Sequence, residues 1–260
     1  MFPSAATSLH RRGGIVFAGL LLAFCTTVAQ AEATTLPRLA IVIDDLGNNQ
    51  KQDQRALNLP GQITASILPL CRYSATEAKA AKTKGWLVIA HLPMQSAEGN
   101  ALGAGGLTAQ MDKTEIQQQL SQDLDSLPGV NGASNHMGSQ LTADRQAMRW
   151  VMEGLKTRPS MFFLDSRTSI NTVAAVSARL AGIPTLERDV FFDHDRSPLN
   201  IEKQFDRMLQ IARKNGSAIA IGHPYPETMA VLEKRIPQLA GQGYQLVRLT
   251  TLLPTANKAQ

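Results

Sequence analysis

The chain has 260 residues, 43% of them hydrophobic, with 26 basic and 21 acidic side chains. That apolar content excludes a disordered or low-complexity polypeptide, which could not sustain a core. The basic residues are scattered and form no stripe, so nucleic acid is excluded as the expected partner despite the net charge of +5.

In chain order the first element is an export signal. His10-Arg11-Arg12 gives a positive start, Gly14 to Ala29 is an apolar run, and Val28-Ala29-Gln30-Ala31 is the small-x-small pattern that signal peptidase reads. Cleavage is expected after Ala31, with a periplasmic destination. The apolar run is shorter than the roughly 20 residues of a spanning helix, and no basic stop-transfer cluster follows, so no membrane span is expected in the mature form. A lipoprotein signal through Leu22-Ala23-Phe24-Cys25 fails on the bulky Phe24. Residues 1–31 therefore read as a signal peptide, 32–38 as a short leader, 39–252 as one domain and 253–260 as a tail. Removing the signal leaves 229 residues with 24 basic and 21 acidic side chains, enough to bury a substantial core without disulfides. Cys71 is then the one cysteine, and the expected role for it is a small buried apolar residue.

The mature chain alternates strands with helices. Short apolar runs predict strands at Leu39–Ile43, Ile63–Leu68, Trp86–Ala90, Met161–Leu164, Ala218–Ile221 and Tyr244–Leu249. Weaker strand patterns lie at Val130–Ser134 and Thr185–Phe192. Ser74-Ala-Thr-Glu77 and Asp112-Lys-Thr-Glu115 have capping-box form and open two polar helices. Ile201, Phe205, Met208, Leu209 and Ala212 form the apolar stripe of another, which stops at Asn215-Gly216. Glu98 to Gln110, rich in glycine, reads as a mobile surface loop. Eight strand patterns alternating with helices predict an α/β fold with parallel strands, either a (β/α) barrel or an open doubly wound sheet.

Polar residues fall at the predicted strand ends. Asp44-Asp45 follows the first strand, His91 the third, Asn135-His136 the fourth and Asp165-Ser166-Arg167 the fifth. Arg188-Asp189 and Asp193-His194-Asp195 flank the Val190–Phe192 segment, and His223 follows Ile219-Ala220-Ile221. Parallel strands bring these ends onto one rim, where such folds carry their chemistry. A lone carboxylate after a strand is commonly a turn former, and a lone histidine commonly structural. Three histidines and a double-acid motif on one face are a site instead, and two imidazoles with a carboxylate are a common set for catalytic zinc.

Five of these segments resemble a known family. Val42-Ile43-Asp44-Asp45, Lys84-Gly85-Trp86 running to His91-Leu92-Pro93-Met94, Asn135-His136-Met137-Gly138-Ser139, Phe162-Phe163-Leu164-Asp165-Ser166-Arg167 and Ile221-Gly222-His223-Pro224-Tyr225 are similar to the divergent polysaccharide deacetylases. The likeness spans about Leu39 to Leu252. It implies a distorted (β/α) barrel of about seven to eight parallel strands and metal-assisted removal of an acetyl group from an N-acetylated sugar of a polysaccharide. In better-studied deacetylases the first Asp of the pair is the base and the second binds metal, roles that match Asp44 and Asp45. His91 matches the first histidine ligand. Gln95 stands where those enzymes have a second, so His136 is the candidate third ligand. His223 matches the histidine that serves as general acid. The Arg-x-Pro-Tyr motif of those enzymes is absent, and Arg188 or Arg167 could take the place of the arginine beside the base.

The implied chemistry is coherent. A divalent cation, zinc by expectation, on Asp45, His91 and His136 would polarise the amide and acidify water, with Asp44 to take the water's proton and His223 to protonate the departing amine. Asp165, Asp189 or Asp193 would fix an imidazole tautomer. Two other readings stay open at this point: a catalytically silent module binding glycan or protein, and a different metal hydrolase acting on a peptide or ester. The low aromatic content, 13 residues in all, leans toward the silent module.

Overall fold

The computed structural model describes residues 35–254, so the export signal and its cleavage site lie outside the described residues. Nine strands form one sheet: β1 (Arg38–Leu46), β2 (Ile63–Ile67), β3 (Leu87–Met94), β4 (Gly132–Met137), β5 (Phe162–Asp165), β6 (Thr185–Glu187), β7 (Val190–Phe191), β8 (Ser217–Gly222) and β9 (Gln245–Leu246). Seven helices cover it: α1 (Gln50–Leu57), α2 (Ser74–Thr83), α3 (Lys113–Asp125), α4 (Arg145–Lys156), α5 (Ala174–Ala181), α6 (Pro198–Asn215) and α7 (Pro226–Arg235). The strand order is β6-β5-β4-β3-β2-β1-β8-β7, all parallel, with β9 paired to the start of β1. The sheet curves into a half-barrel, as expected for strands joined by helical crossovers.

The two faces of the sheet separate by strand parity. Leu39, Ile41 and Ile43 of β1 face the helices, where they join the larger core with Val88, Phe163, Phe205 and Met208. Ala40 and Val42 point the other way, into a smaller cluster with Leu87, Ile89, Phe162, Leu164, Ile219 and Ile221 inside the curve of the barrel. The apolar stripe expected on α6 is buried at Ile201, Phe205, Met208, Leu209 and Ala212. Among the described residues no helix is long and apolar enough to cross a membrane.

Gly132 shows how tightly the inner face is filled. It pairs with Phe162 across β4 and β5, and a Cβ placed there would stand 2.5 Å from the Phe162 ring. The ring is buried and cannot swing away. Gly132→Ala should lower the unfolding free energy by about 1–3 kcal/mol, the usual cost of overpacking, as read from urea denaturation.

Several local expectations are corrected. The Thr185–Phe192 run is two strands, β6 and β7, at opposite edges of the sheet. The chain crosses the open seam between them through Arg188-Asp189. The Arg188 N–H donates to Asp165 O at 3.0 Å, and the Asp189 N–H donates to Ile219 O at 2.9 Å, so these two residues stitch the seam without a strand pair. The Tyr244–Leu249 strand shrinks to β9, followed by a 3₁₀ turn at Leu249–Leu252. The capping box at Asp112 and Glu115 forms. That at Ser74 does not, because its hydroxyl donates to Leu68 O inside the preceding turn. The Glu98–Gln110 loop is tied down at its far end, where buried Leu107 bonds Pro93 O and accepts from the Gln95 N–H. Cys71 is half-buried, and burial pushes its thiol up, away from the reactive thiolate.

Candidate functional site

Strand parity aims most of the site inward. Ala40, Val42 and Asp44 share one face of β1, and Leu87, Ile89 and His91 share one face of β3. Ser134 and His136 alternate on β4, and His223 continues the Ile219, Ile221 series just beyond β8. These residues therefore replace apolar side chains on the inner face where the cluster ends. Asp44, His91 and His136 lie within strands that run past them, β1 to Leu46, β3 to Met94 and β4 to Met137, whereas His223 follows the last residue of β8.

By alternation Asp45 would point to the helices. An irregularity in the β1 register between Ile43 and Leu46, with Asp45 at φ 60°, turns it back to the inner side. Left-handed backbone costs an L-residue about 1–2 kcal/mol, least for Asp and Asn, and such strain gathers where geometry serves a site. Both carboxylates of the pair thereby reach one pocket.

Asp45 Oδ1 is 2.8 Å from His136 Nδ1 and 3.2 Å from His91 Nε2, and Asp45 Oδ2 is 3.9 Å from His223 Nε2. His91 Nε2 is also 3.5 Å from Asp44 Oδ2. Despite these short separations Asp45 Oδ1 is buried without a well-aligned donor, as is Asp44 Oδ1. The nitrogens crowd the Asp45 oxygen without bonding to it in line, the arrangement of ligands that share a common point. One oxygen and two imidazole nitrogens, all within 4.8 Å of one another, make a group able to hold a metal ion, and a carboxylate with two imidazoles suits zinc.

The surrounding hydrogen bonds orient the rings. His91 Nδ1 lies 2.9 Å from Ser134 Oγ, which lies 3.0 Å from Ser66 Oγ, so the other nitrogen of His91 faces Asp45. His223 Nδ1 lies 2.9 Å from Asp193 Oδ1, and Asp193 Oδ2 accepts from the His223 N–H and from Thr228 Oγ1, each at 2.7 Å. Phe191 stacks on the His223 ring at 6.0 Å. The mouth of this pocket encloses about 240 Å³ and has all four histidines of the described chain in its wall, His194 on the exposed rim.

These environments split the ionisation behaviour of neighbouring groups. Burial pushes Asp44 above the usual carboxylate range, opposed but not cancelled by His91, His223 and the Ser66 hydroxyl. Burial acts on Asp45 in the same sense, yet the contacts with His136 and His91 outweigh it and hold Asp45 well below that range. Burial alone would lower His223, but its bond to Asp193 and the charges of Asp45, Asp193 and Asp44 lift it to about 9. A carboxylate shifted toward neutrality beside an imidazole shifted upward is an acid–base pair in the sense that catalysis uses.

The structure thus brings Asp44, Asp45, His91, His136, His223 and Asp193 together. It does not bring Asp165 or Asp189 to an imidazole. Asp165 has the parity of Phe163, facing the helices, where its oxygens accept from Arg167 N, Thr172 Oγ1 and Ala175 N. Asp189 accepts from Ile219 N at the seam. Arg188 does not bond Asp44. Its guanidinium donates to the carbonyls of Ser166 and Arg167 and lies 3.8 Å from the Phe191 ring centre, and burial brings it down to about 10. Gln95 accepts from Ala109 N at 2.7 Å and so anchors the glycine-rich loop in place of binding metal. Sequence reasoning missed Ser66 and Ser134. Their signal was a small hydroxyl at an inward position of its strand: Ser66 alternates with the helix-facing Ala65 and Ile67 of β2, and Ser134 stands two residues before His136 on β4.

The sequence matches the family described as divergent polysaccharide deacetylase over residues 41–253. A protein of Haemophilus influenzae is 35% identical over 228 residues, covering 85% of this chain and 81% of the relative. The Escherichia coli protein YibQ is 35% identical over 233 residues, covering 90% and 72%. The crystal structure of an uncharacterized protein from Agrobacterium tumefaciens is similar with a TM-score of 0.80 at 24% identity, covering 85% of this chain and 90% of that one.

Proposed function

The chain belongs to the divergent polysaccharide deacetylase family, and from that premise we propose that it is an exported, metal-dependent hydrolase that removes acetyl groups from N-acetylated sugars of a polysaccharide. The observation that carries this reading is one pocket holding a buried carboxylate with raised proton affinity, a metal-competent Asp-His-His group and an imidazole lifted to about 9.

Asp45, His91 and His136 would hold the cation. When bound, a divalent ion such as zinc supplies Lewis acidity toward the amide carbonyl and brings the pKa of water down to roughly 7. Asp44 takes the proton of the attacking water, and its raised pKa suits a base working near neutrality. Its burial keeps bulk water from competing for that role. His223 is protonated at neutral pH and gives its Nε2 proton to the departing amine, while Asp193 on Nδ1 holds the ring and steadies the imidazolium. Ser134 holds His91 by Nδ1, which leaves Nε2 facing Asp45 as the nitrogen that would hold the cation. Phe191 packs between the His223 ring and the Arg188 guanidinium and so helps to hold the general acid in place.

The test is elemental analysis and acetate release on protein purified without a metal-affinity tag. One divalent ion per chain is expected, lost in His136→Ala and retained in His194→Ala, whose imidazole is exposed on the rim. Acetate should be released from chitooligosaccharides or peptidoglycan fragments with zinc, cobalt or nickel. Equal occupancy in wild type and in variants of all three ligands would remove the site. Occupancy without acetate release from either substrate would make the silent binding module the better reading.

Export is part of the proposal, supported by the His10–Ala31 pattern. The periplasmic form should begin at Glu32. Amino-terminal sequencing that finds residues 1–31 on the mature protein would contradict it.

A further inference from the structure

Beside the pocket, along the open seam of the half-barrel, runs a second groove of about 480 Å³. The two share Thr168, Phe191 and His194 as walls, so a chain of sugars seated at one continues into the other. Arg167, Arg188 and Arg207 line the groove. Among the described residues Arg188 and Arg207 form no ion pair, and Arg167 meets Glu187 only at 3.9 Å, with Arg179 closer to the same carboxylate at 3.2 Å. Two acids, Asp189 and Asp195, also line it, but each already accepts from a backbone N–H, of Ile219 and Ser197 respectively. Arg188 is fixed in place by the carbonyls of Ser166 and Arg167 and by the Phe191 ring. It is a preorganised cation that pairs directly with no carboxylate among the described residues; the charges of Asp165, Asp44 and Asp189 reach it only at longer range.

Three guanidiniums against two carboxylates leave an excess of one positive charge. That balance suits a singly charged anion, and the two acids oppose a dianion such as a phosphate monoester. Guanidinium forks match the planar carboxylate and bind it through paired hydrogen bonds. We propose that this groove is a carboxylate subsite, so that the substrate is an acidic glycan in which the sugar next to the reacting acetamido sugar carries a carboxyl group. The inference rests on the deacetylase reading of the adjoining pocket and names its substrate class. The carboxylate can belong to a uronic acid or to a lactyl ether on the sugar, and the experiment separates these sources.

Calorimetric titration of the zinc-loaded protein with three oligosaccharides of equal length tests it. One is neutral chitooligosaccharide, one alternates N-acetylglucosamine with glucuronic acid, and one is a peptide-free glycan of N-acetylglucosamine and N-acetylmuramic acid. At least one acidic glycan should bind about tenfold more tightly than the neutral one, with the advantage shrinking as salt rises. The preferred acidic glycan identifies the source. Arg207→Gln, on the exposed face of α6, and Arg167→Gln should each remove most of that advantage and leave neutral glycan binding unchanged. Acidic glycans no tighter than neutral, or variants that weaken all three alike, would overturn the subsite. If acetate is still released from the neutral glycan in that case, the deacetylase reading survives without it. If no glycan binds and no acetate is released, both fall.

Discussion

Asp44→Asn should abolish acetate release while metal content and the thermal midpoint stay close to those of the wild type. The substitution preserves shape and removes only the charge and the proton affinity. Asp44 is 1% exposed, and its Oδ1 meets no donor, so the carboxylate is held at a desolvation cost larger than that of a neutral amide. Stability should therefore be unchanged or slightly raised, the opposite of what a structural carboxylate would give. Loss of a general base costs roughly 10²–10⁴-fold in turnover, which brings a slow hydrolase to the floor of an acetate assay. Three measurements on one variant decide the matter: acetate release, elemental analysis and thermal melting. If Asp44→Asn strips the metal, Asp44 is a ligand; if it unfolds the protein, Asp44 is structural; either result ends its assignment as the base.

The fold was legible because burial on both faces writes itself into sequence. β1, β3 and β8 are near-continuous apolar runs, as strands covered by helices on one side and packed inside a barrel on the other must be. β6 and β7 escaped separation because only two residues, Arg188 and Asp189, divide them, and a crossing of the seam leaves no turn residue behind. In the site, placing polar residues at strand ends found Asp44, His91, His136 and His223, although β1, β3 and β4 run beyond their residues. The same rule misplaced Asp165, which ends its strand on the helix-facing parity of Phe163 and caps the turn before α5. Parity rather than position along the strand separates the two cases: Phe162 and Leu164 point inward, so Asp165 cannot. Asp45 is the reverse case. Its parity is wrong, and it joins the site through a backbone irregularity at φ 60°, which no periodicity predicts. The pairing of His223 with Asp193 depends on two segments 30 residues apart, and Asp193-His194-Asp195 alone does not say which acid turns inward.

His223→Ala should lower turnover by roughly 10²–10⁴-fold with metal retained, because the departing amine loses its proton donor while Asp45, His91 and His136 are untouched. The pH dependence carries the same assignment independently. His223 sits at about 9 against 6.5 for the free side chain, so the protonated form is favoured by the folded state. Its contribution to stability is fully present below about 6.5 and is lost as pH rises through about 9. The alkaline limb of the rate should follow the same ionisation, activity falling as the imidazolium gives up its proton. A cation on Asp45 would withdraw part of the charge that supports this shift, and the bond to Asp193 would preserve the rest. The imidazole should therefore titrate lower in zinc-loaded than in metal-stripped protein, yet above 6.5 in both. Asp193→Asn removes both the charge and the acceptor at Nδ1, and should bring the titration down in either form without changing metal content. NMR titration of His223 in these four samples measures the effect apart from turnover. An imidazole that titrates near 6.5 in wild type, or one indifferent to Asp193→Asn, would remove His223 as the general acid.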